Sequence, residues 1–155
     1  MRTIIVLLTF VVLMASAHLS AHAAGTTDKA ELQGKKSMPQ LLITTMGGQT
    51  FHATLVDSET TSAFQKILPL TLTMEDLHGN EKYYYFTQQF PGNAEKVRQI
   101  NKGDIMLYGN DCLVIFYKNF STTYTYTRLA HIDDPTDLEK ALGKTDATVT
   151  FQLKH

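Results

Sequence analysis

The chain has 155 residues, of which 43% are hydrophobic and 19% are charged, with 14 Lys and Arg against 15 Asp and Glu. This length and composition suit one soluble globular domain. They exclude a disordered tail, a collagen-like fibre and a disulfide-stapled small domain. The nearly neutral balance, without a Lys/Arg cluster, gives no electrostatic footprint for nucleic acid or for an anionic membrane.

The first 23 residues have the pattern of a secretory signal peptide. Arg2 precedes an apolar run at 4–14, and small residues follow, ending in Ala21-His22-Ala23. An apolar helix of this length spans about 16 Å, which is too short for a bilayer core of about 30 Å. We therefore expect cleavage after Ala23, or alternatively after Ala17, and export to the periplasm or the medium with no remaining membrane contact.

Residues 24–38 are polar, small and aperiodic, so we expect a flexible leader ahead of a single domain at 39–155. Within this domain, apolar and polar residues alternate over several segments with the period of half-buried strands. The predicted strands are 41–44, 51–55, 70–75, 82–86, 105–108, 112–117, 124–129 and 145–153. Turns that contain glycine at 47–48, 79 and 109 connect neighbouring strands as hairpins.

Two short helices are predicted between the strands. The first follows a Ser58 or Thr60 cap, and the second follows an Asp134 cap and stops at Gly143. A long polar loop precedes the fifth strand and carries a helical turn at 95–99. The helices are too few and too far apart for repeated βαβ units. The sequence therefore predicts a mainly β fold, a closed antiparallel barrel of eight strands with two short helices.

Four segments stand in a recognisable order along the domain. They are FHATLVD at 51–57 with the following Ala-Phe, LPLTLTM at 68–74, GDIMLYG at 103–109 leading to Phe-Tyr at 116–117, and YTRLAHI at 126–132. This order resembles that of the cyclophilin-like domain family of bacterial proteins, over about residues 40–153. The resemblance implies a cyclophilin-type barrel of eight strands with a helix at each end.

Cyclophilins isomerise X–Pro peptide bonds, and their active surface includes an Arg in a Phe-His-Arg strand and a Gln in a Phe-Met-x-Gln segment. In this chain the corresponding strand reads EKYYYF at 81–86, without Arg, and TQQF at 87–90 departs from the second segment. Isomerisation crosses a barrier of about 18–20 kcal/mol through a twisted amide, which a donor such as Arg would stabilise. The comparison therefore predicts no catalytic residues and favours a binding function.

Aromatic side chains concentrate in two stretches, 83–90 and 108–126. Strand alternation places Tyr83 and Tyr85 on one face and Tyr84 and Phe86 on the other, so one set belongs to the core and the other faces solvent or a ligand. The candidate ligand-binding face comprises Tyr84, Phe86, Tyr117, Tyr124, Tyr126 and Arg128. The alternative is cross-strand aromatic pairing on an exposed sheet without a ligand.

Arg128 has two interpretations of equal weight. Its guanidinium could grip a carboxylate or a backbone carbonyl of a ligand. Alternatively, it forms a structural ion pair with an acid such as Asp104 or Asp133.

Other chemistry has little support in the sequence. Cys112 is the only cysteine and lies in an apolar strand, so we expect a buried, inert thiol. His52, His78, His131 and His155 lack the spacing of metal ligands, so we expect no metal site. No G-x-S-x-G motif or phosphate-binding glycine loop occurs, so we expect no cofactor.

The leading hypothesis is an exported, monomeric, non-catalytic module that binds a peptide or a small molecule. One alternative is a divergent peptidyl-prolyl cis-trans isomerase. The other is a structural or protein-interaction domain of the cell envelope, which an exposed apolar patch above roughly 600 Å² would favour.

Overall fold

A computed structural model of the chain describes residues 38–154, so the expected signal peptide and most of the expected leader lie outside the described residues. Strands account for most of the regular structure, together with helices α1 (Glu59–Gln65) and α2 (Leu138–Leu142). The strands are β1 (Gln40–Thr45), β2 (Thr50–Leu55), β3 (Leu70–Leu77), β4 (Glu81–Tyr85), β5 (Glu95–Lys96), β6 (Gln99–Ile100), β7 (Asp104–Tyr108), β8 (Cys112–Phe116), β9 (Phe120–Ser121), β10 (Thr125–Ile132) and β11 (Ala147–Leu153).

Eight of these strands close into a barrel. They pair in the order β2-β1-β11-β3-β4-β8-β7-β10, and β10 pairs back onto β2 through Ala130 opposite Leu55 and Ile132 opposite Ala53. Every pairing is antiparallel, and the closure leaves neither β2 nor β10 as a free edge. The predicted closed eight-stranded antiparallel barrel with two helices is confirmed.

The barrel interior holds the main core because successive side chains on each strand alternate between inside and outside. Leu41 and Ile43 on β1 and Phe51 and Ala53 on β2 are fully or almost fully buried, while the residues between them are less buried. The same alternation on β11 buries Val149 and Phe151.

Helix α1 follows β2 and packs over one end of the barrel through Phe64, which is buried. Its N-cap is Ser58, one of the two predicted caps, and the Ser58 hydroxyl accepts a hydrogen bond from the backbone N–H of Thr61 at 3.1 Å. The cap satisfies one of the N–H groups that the first helical turn leaves without a partner.

A second apolar cluster lies on the outer face of the sheet. Its buried members are Ile100, Met106, Cys112, Val114, Phe116 and Tyr126. The two-residue strands β6 and β9 pair with each other, and Phe120 on β9 packs against this cluster. This outer face is therefore partly a second core.

Two local predictions are wrong. Residues 95–99 form no helical turn, because Glu95 pairs with Tyr126 in the ladder between β5 and β10 and Gln99 begins β6. Asp134 does not cap α2, because its carboxylate accepts hydrogen bonds from the backbone N–H and the hydroxyl of Thr136 and so closes a turn ahead of the helix. The N-cap position belongs to Asp137.

No helix within residues 38–154 is long and apolar enough to cross a bilayer.

Candidate functional site

The six predicted ligand-binding residues lie in different parts of the barrel. Tyr84, Phe86 and Tyr117 pack against the interior core. On β10, Tyr126 belongs to the outer apolar cluster and Arg128 is half-buried, while Tyr124, just before β10, is 61% exposed. The structure thus brings Tyr124 and Tyr126 together on the outer face and separates them from the three interior aromatics.

Tyr84 and Phe86 belong to a series of edge-to-face aromatic contacts inside the barrel. The ring centroids of Tyr84 and Phe86 are 5.1 Å apart, and Phe86 in turn lies 5.2 Å from Phe90. The series continues through Phe64 to Phe151, with centroid separations of 6.3 and 6.2 Å. These distances lie in the range of stabilising aromatic pairs, so the two residues contribute to the packing of the core.

Tyr117 is fully buried beside the ion pair that Lys82, near the start of β4, forms with Asp76. The Tyr117 hydroxyl donates a hydrogen bond to Oδ1 of Asp76 at 2.5 Å, and Nζ of Lys82 lies 2.6 Å from the same oxygen. Lys82 also donates to the carbonyl of Thr145, and its Nζ lies 5.2 Å from the centre of the Tyr117 ring. The Lys82 side chain therefore points into the barrel, although its neighbours on β4 point outward.

The tyrosines that face outward form a groove because the strand between them, β8, carries a small side chain at Cys112. On the outer face, Tyr85 on β4 is opposite Cys112 on β8, and Cys112 is opposite Tyr108 on β7. Tyr108 is in turn opposite Tyr126 on β10. Large side chains thus stand on both sides of the small Cys112, and the row has a trough at β8.

We call this feature the tyrosine groove. It has a volume of about 340 Å³ and is lined by Tyr83, Tyr85, Tyr108, Tyr124 and Tyr126, with Cys112 and Val114 as its floor and Leu77 and Glu81 at one end. Tyr85 is 56% exposed and Tyr108 is 42% exposed. The groove is therefore open to solvent along its two tyrosine walls.

Aromatic contacts fix the two walls of the groove. The Tyr83 and Tyr85 rings on β4 are 5.8 Å apart, and Tyr108 lies 5.7 Å from both Tyr124 and Tyr126. Walls that are already packed lose little conformational entropy when a ligand binds between them.

Hydrogen bonding and burial control the protonation of the groove. The Tyr83 hydroxyl donates to Glu75 at 2.6 Å, and this hydrogen bond is the main reason that the pKa of Tyr83 rises to about 12. Burial, assisted by the charge of Asp76, raises the pKa of Glu81 to about 7. Burial also raises the pKa of the Cys112 thiol to about 11, so the floor carries a neutral thiol. At neutral pH the Tyr83 hydroxyl and the Cys112 thiol are therefore neutral, whereas the Glu81 carboxyl at one end of the groove is partly ionised.

The comparison with known proteins identifies the barrel. A model of the cyclophilin-like family matches residues 44–154, which is most of the chain and nearly all of the described part. The chain belongs to the cyclophilin-like family. No curated protein and no solved structure matches this cyclophilin-like chain.

In this cyclophilin-like domain, Arg128 pairs with an acid that the sequence analysis did not consider. Its Nε donates to Oε1 of Glu95 at 3.0 Å, because β5 pairs with β10 and brings Glu95 beside it. The two acids considered from the sequence are engaged elsewhere. Asp104 lies 2.9 Å from His131, and Asp133 accepts a hydrogen bond from Thr54 at 2.7 Å.

The sequence analysis missed Tyr83, Tyr85 and Tyr108 as groove residues. For Tyr83 and Tyr85 the signal was available in the alternation of β4, which separates them from Tyr84. The inner residue Lys82 shares the face of Tyr84, and a lysine ordinarily marks the exposed face of a strand. Cys112 is buried, as predicted. Over residues 38–154, the structure contains no group of three His, Cys, Asp or Glu side chains that could hold a metal ion.

Proposed function

We propose that this cyclophilin-like domain is an exported, non-catalytic binding module, and that its ligand inserts a ring-shaped group into the tyrosine groove. The observation that carries the proposal is the row Tyr85–Cys112–Tyr108, in which a small side chain separates two exposed tyrosines on the outer face. The signal-peptide pattern of residues 1–23 supports export.

The strand spacing suits a single ring between the walls. Strands β4 and β7 are two strand spacings apart, which is about 9.5 Å. A ring midway between Tyr85 and Tyr108 would lie about 4.8 Å from each tyrosine, within the 4.5–7 Å range of favourable aromatic contacts. Proline, sugar and aromatic rings all meet this requirement. The groove volume of about 340 Å³ lies at the lower end of the range for ligand pockets.

The chemistry of β4 favours binding over isomerisation. A prolyl isomerase needs a donor that stabilises the twisted amide, and cyclophilins supply an Arg from the corresponding strand. Here the outward side chains of β4 are Glu81, Tyr83 and Tyr85, while the ammonium group of Lys82 lies inside the barrel and is engaged by Asp76. We therefore expect no acceleration of X–Pro isomerisation, even by a proline peptide that binds in the groove.

The test is a thermal-unfolding screen of the purified full-length chain against X–Pro peptides, sugars, flavins and nucleotides. A ligand at 100 times its Kd adds about 2.7 kcal/mol to the free energy of unfolding, which raises Tm by roughly 10 °C for a domain of this size. Each ligand that raises Tm is then measured against Tyr85→Ala and Tyr108→Ala. The control is Met46→Ala, because Met46 is 81% exposed and lies outside the groove.

We expect Tyr85→Ala and Tyr108→Ala each to weaken binding about tenfold, which corresponds to about 1.4 kcal/mol for the loss of one aromatic wall. We expect Met46→Ala to leave the affinity unchanged. A ligand that binds both tyrosine variants as tightly as it binds the original chain would contradict the proposed site. No shift with any compound would favour a protein partner instead of a small ligand.

A further inference from the structure

A second concavity lies on the barrel, beside the C-terminal half of β10. It has a volume of about 860 Å³ and shares no lining residue with the tyrosine groove. The lining residues that carry the argument are Lys102, Asp104, Asn119, Arg128, His131 and Thr136. We call this concavity the polar bowl.

The wall of the polar bowl is held in place by a close approach between two segments. Gly103 has a φ of +96°, and a Cβ atom there would lie 3.1 Å from Cβ of Pro135 and 3.3 Å from the carbonyl oxygen of Ile132. The Gly103 N–H donates to the carbonyl of Phe116 at 2.8 Å, and the Gly103 carbonyl accepts from the N–H of Ile132 at 2.9 Å. These contacts fix the backbone that presents the neighbouring side chains.

The carboxylate in the lining is already fully engaged. Asp104 is buried, and its Oδ2 accepts a hydrogen bond from the backbone N–H of Asn101 at 2.8 Å. Its Oδ1 lies 2.9 Å from Nδ1 of His131. This contact holds the imidazole in one orientation and leaves its Nε2 for other partners, and the His131 side chain is 51% exposed.

Three other polar side chains of the bowl offer donors, and each is positioned by one contact. Nζ of Lys102 donates to the carbonyl of Thr136 at 2.6 Å, which uses one of its three donors. Arg128 donates to Glu95 through Nε, so its two terminal amino groups remain for a ligand. The amide oxygen of Asn119 accepts from the backbone N–H of Lys102 at 2.6 Å, so Asn119 offers its amide N–H groups.

From this arrangement we infer that the polar bowl binds an oxyanion group, a carboxylate or a phosphate, through Lys102, Arg128 and Asn119 beside His131. The lining carries Lys102 and Arg128 against the buried carboxylate of Asp104, and the carboxylate of Glu95, outside the lining, pairs with Nε of Arg128. The two terminal amino groups of Arg128 suit the two oxygens of an oxyanion. Asp134 stands near Lys102 but accepts two hydrogen bonds from Thr136 and does not line the bowl.

The test is a titration of the full-length chain with sodium phosphate and, separately, sodium acetate, at an ionic strength kept constant with sodium chloride. The readout is the imidazole NMR signal of His131, with that of His52 on β2 as the internal reference outside the bowl. We expect a saturable shift of the His131 signal. Tighter binding of phosphate assigns the site to phosphate groups, and tighter binding of acetate assigns it to carboxylates.

Two variants and one control distinguish a specific site from general attraction of anions. We expect Lys102→Gln and Arg128→Gln each to raise the Kd about tenfold, because each removes a charged donor. Lys118→Gln removes the same charge from an exposed pair with Glu139, outside the bowl, and should leave the Kd unchanged. Arg128 is 39% exposed, so we expect its variant to fold even where Lys102→Gln does not.

Two results would overturn the inference: the absence of a saturable His131 shift with either salt, or an equal loss of affinity in Lys118→Gln. Tyr85→Ala, which alters only the tyrosine groove, should bind either anion as the original chain does. The proposal of anion binding in the polar bowl and the proposal of ligand binding in the tyrosine groove can thus be tested independently.

Discussion

Replacing Lys82 with Met removes a cation from the interior of the barrel while nearly keeping the shape of the side chain. Lys82 is fully buried, and its Nζ contacts Asp76 and the carbonyl of Thr145. Removal of one partner of a buried pair costs about 3–5 kcal/mol. Asp76 is 16% exposed and keeps donors from Tyr117 and Gly79, so we expect a loss near 3 kcal/mol.

This loss corresponds to a fall in Tm of roughly 12 °C, which differential scanning calorimetry measures directly. The matched control is Lys118→Met, because Lys118 forms an exposed pair whose loss should cost less than about 0.5 kcal/mol. A double-mutant cycle with Asp76→Asn should give a coupling energy of about 2 kcal/mol. A coupling energy near zero would refute the reasoning, since Lys82 would then stabilise the barrel without its contact to Asp76.

Four further variants test the fold and the groove. In chemical unfolding, Ser58→Ala should cost about 1 kcal/mol because it removes a side-chain cap, whereas Asp137→Ala, at an N-cap without a side-chain hydrogen bond, should change little. Gly103→Ala should cost about 1–3 kcal/mol in the same measurement, because its φ is +96° and its Cβ would press against Pro135. The folded-state pKa of Glu81 is raised to about 7 by burial and by the nearby negative charge, so its contribution to stability is present below about pH 4.5 and lost as pH rises through 7. Urea unfolding between pH 4 and pH 9 should therefore show Glu81→Gln gaining stability relative to the original chain as pH rises from about 4.5 through 7, and a difference that stays constant over this range would contradict this assignment.

The loss of stability at acid pH tests the ionisation of Asp76. Although burial opposes its ionisation, the hydrogen bonds from Lys82, Tyr117 and Gly79 hold the pKa of Asp76 below its usual value. Its contribution is therefore present above about pH 4 and lost as pH falls further. In Lys82→Met this acid-dependent loss should be smaller, which the same urea series extended below pH 4 would show.

The barrel was predictable from the sequence because several of its strands alternate between buried and exposed residues. Thr50–Leu55 and Ala147–Leu153 carry their buried residues on one face, and glycine turns such as that at Gly48 mark the hairpins. Strands of two residues, such as Glu95–Lys96, are too short to show any period. Their pairing partners are distant in sequence, so local composition could not indicate them.

The location of the groove was less predictable, because alternation gives two faces without saying which is inside. Lys82 shares the inner face of β4 with Tyr84, and its burial depends on Asp76, which lies on a neighbouring strand. Because a lysine ordinarily marks the exposed face of a strand, Lys82 gives no sequence signal that its face of β4 lies inside the barrel. The turn at Asp134 is a similar case, since an Asp-Pro sequence suits both a helix cap and the turn that Thr136 completes.

The most direct test of the proposed function is a titration of tyrosine-labelled, full-length chain, observed through the NMR signals of its seven tyrosine rings. The compounds are those that raise Tm in the screen. If the ligand occupies the tyrosine groove, the ring signals of Tyr85, Tyr108 and Tyr124 shift while those of Tyr84 and Tyr117, inside the barrel, stay in place. Shifts confined to Tyr84 and Tyr117, or binding that moves no tyrosine signal, would contradict the proposal that the groove is the binding site.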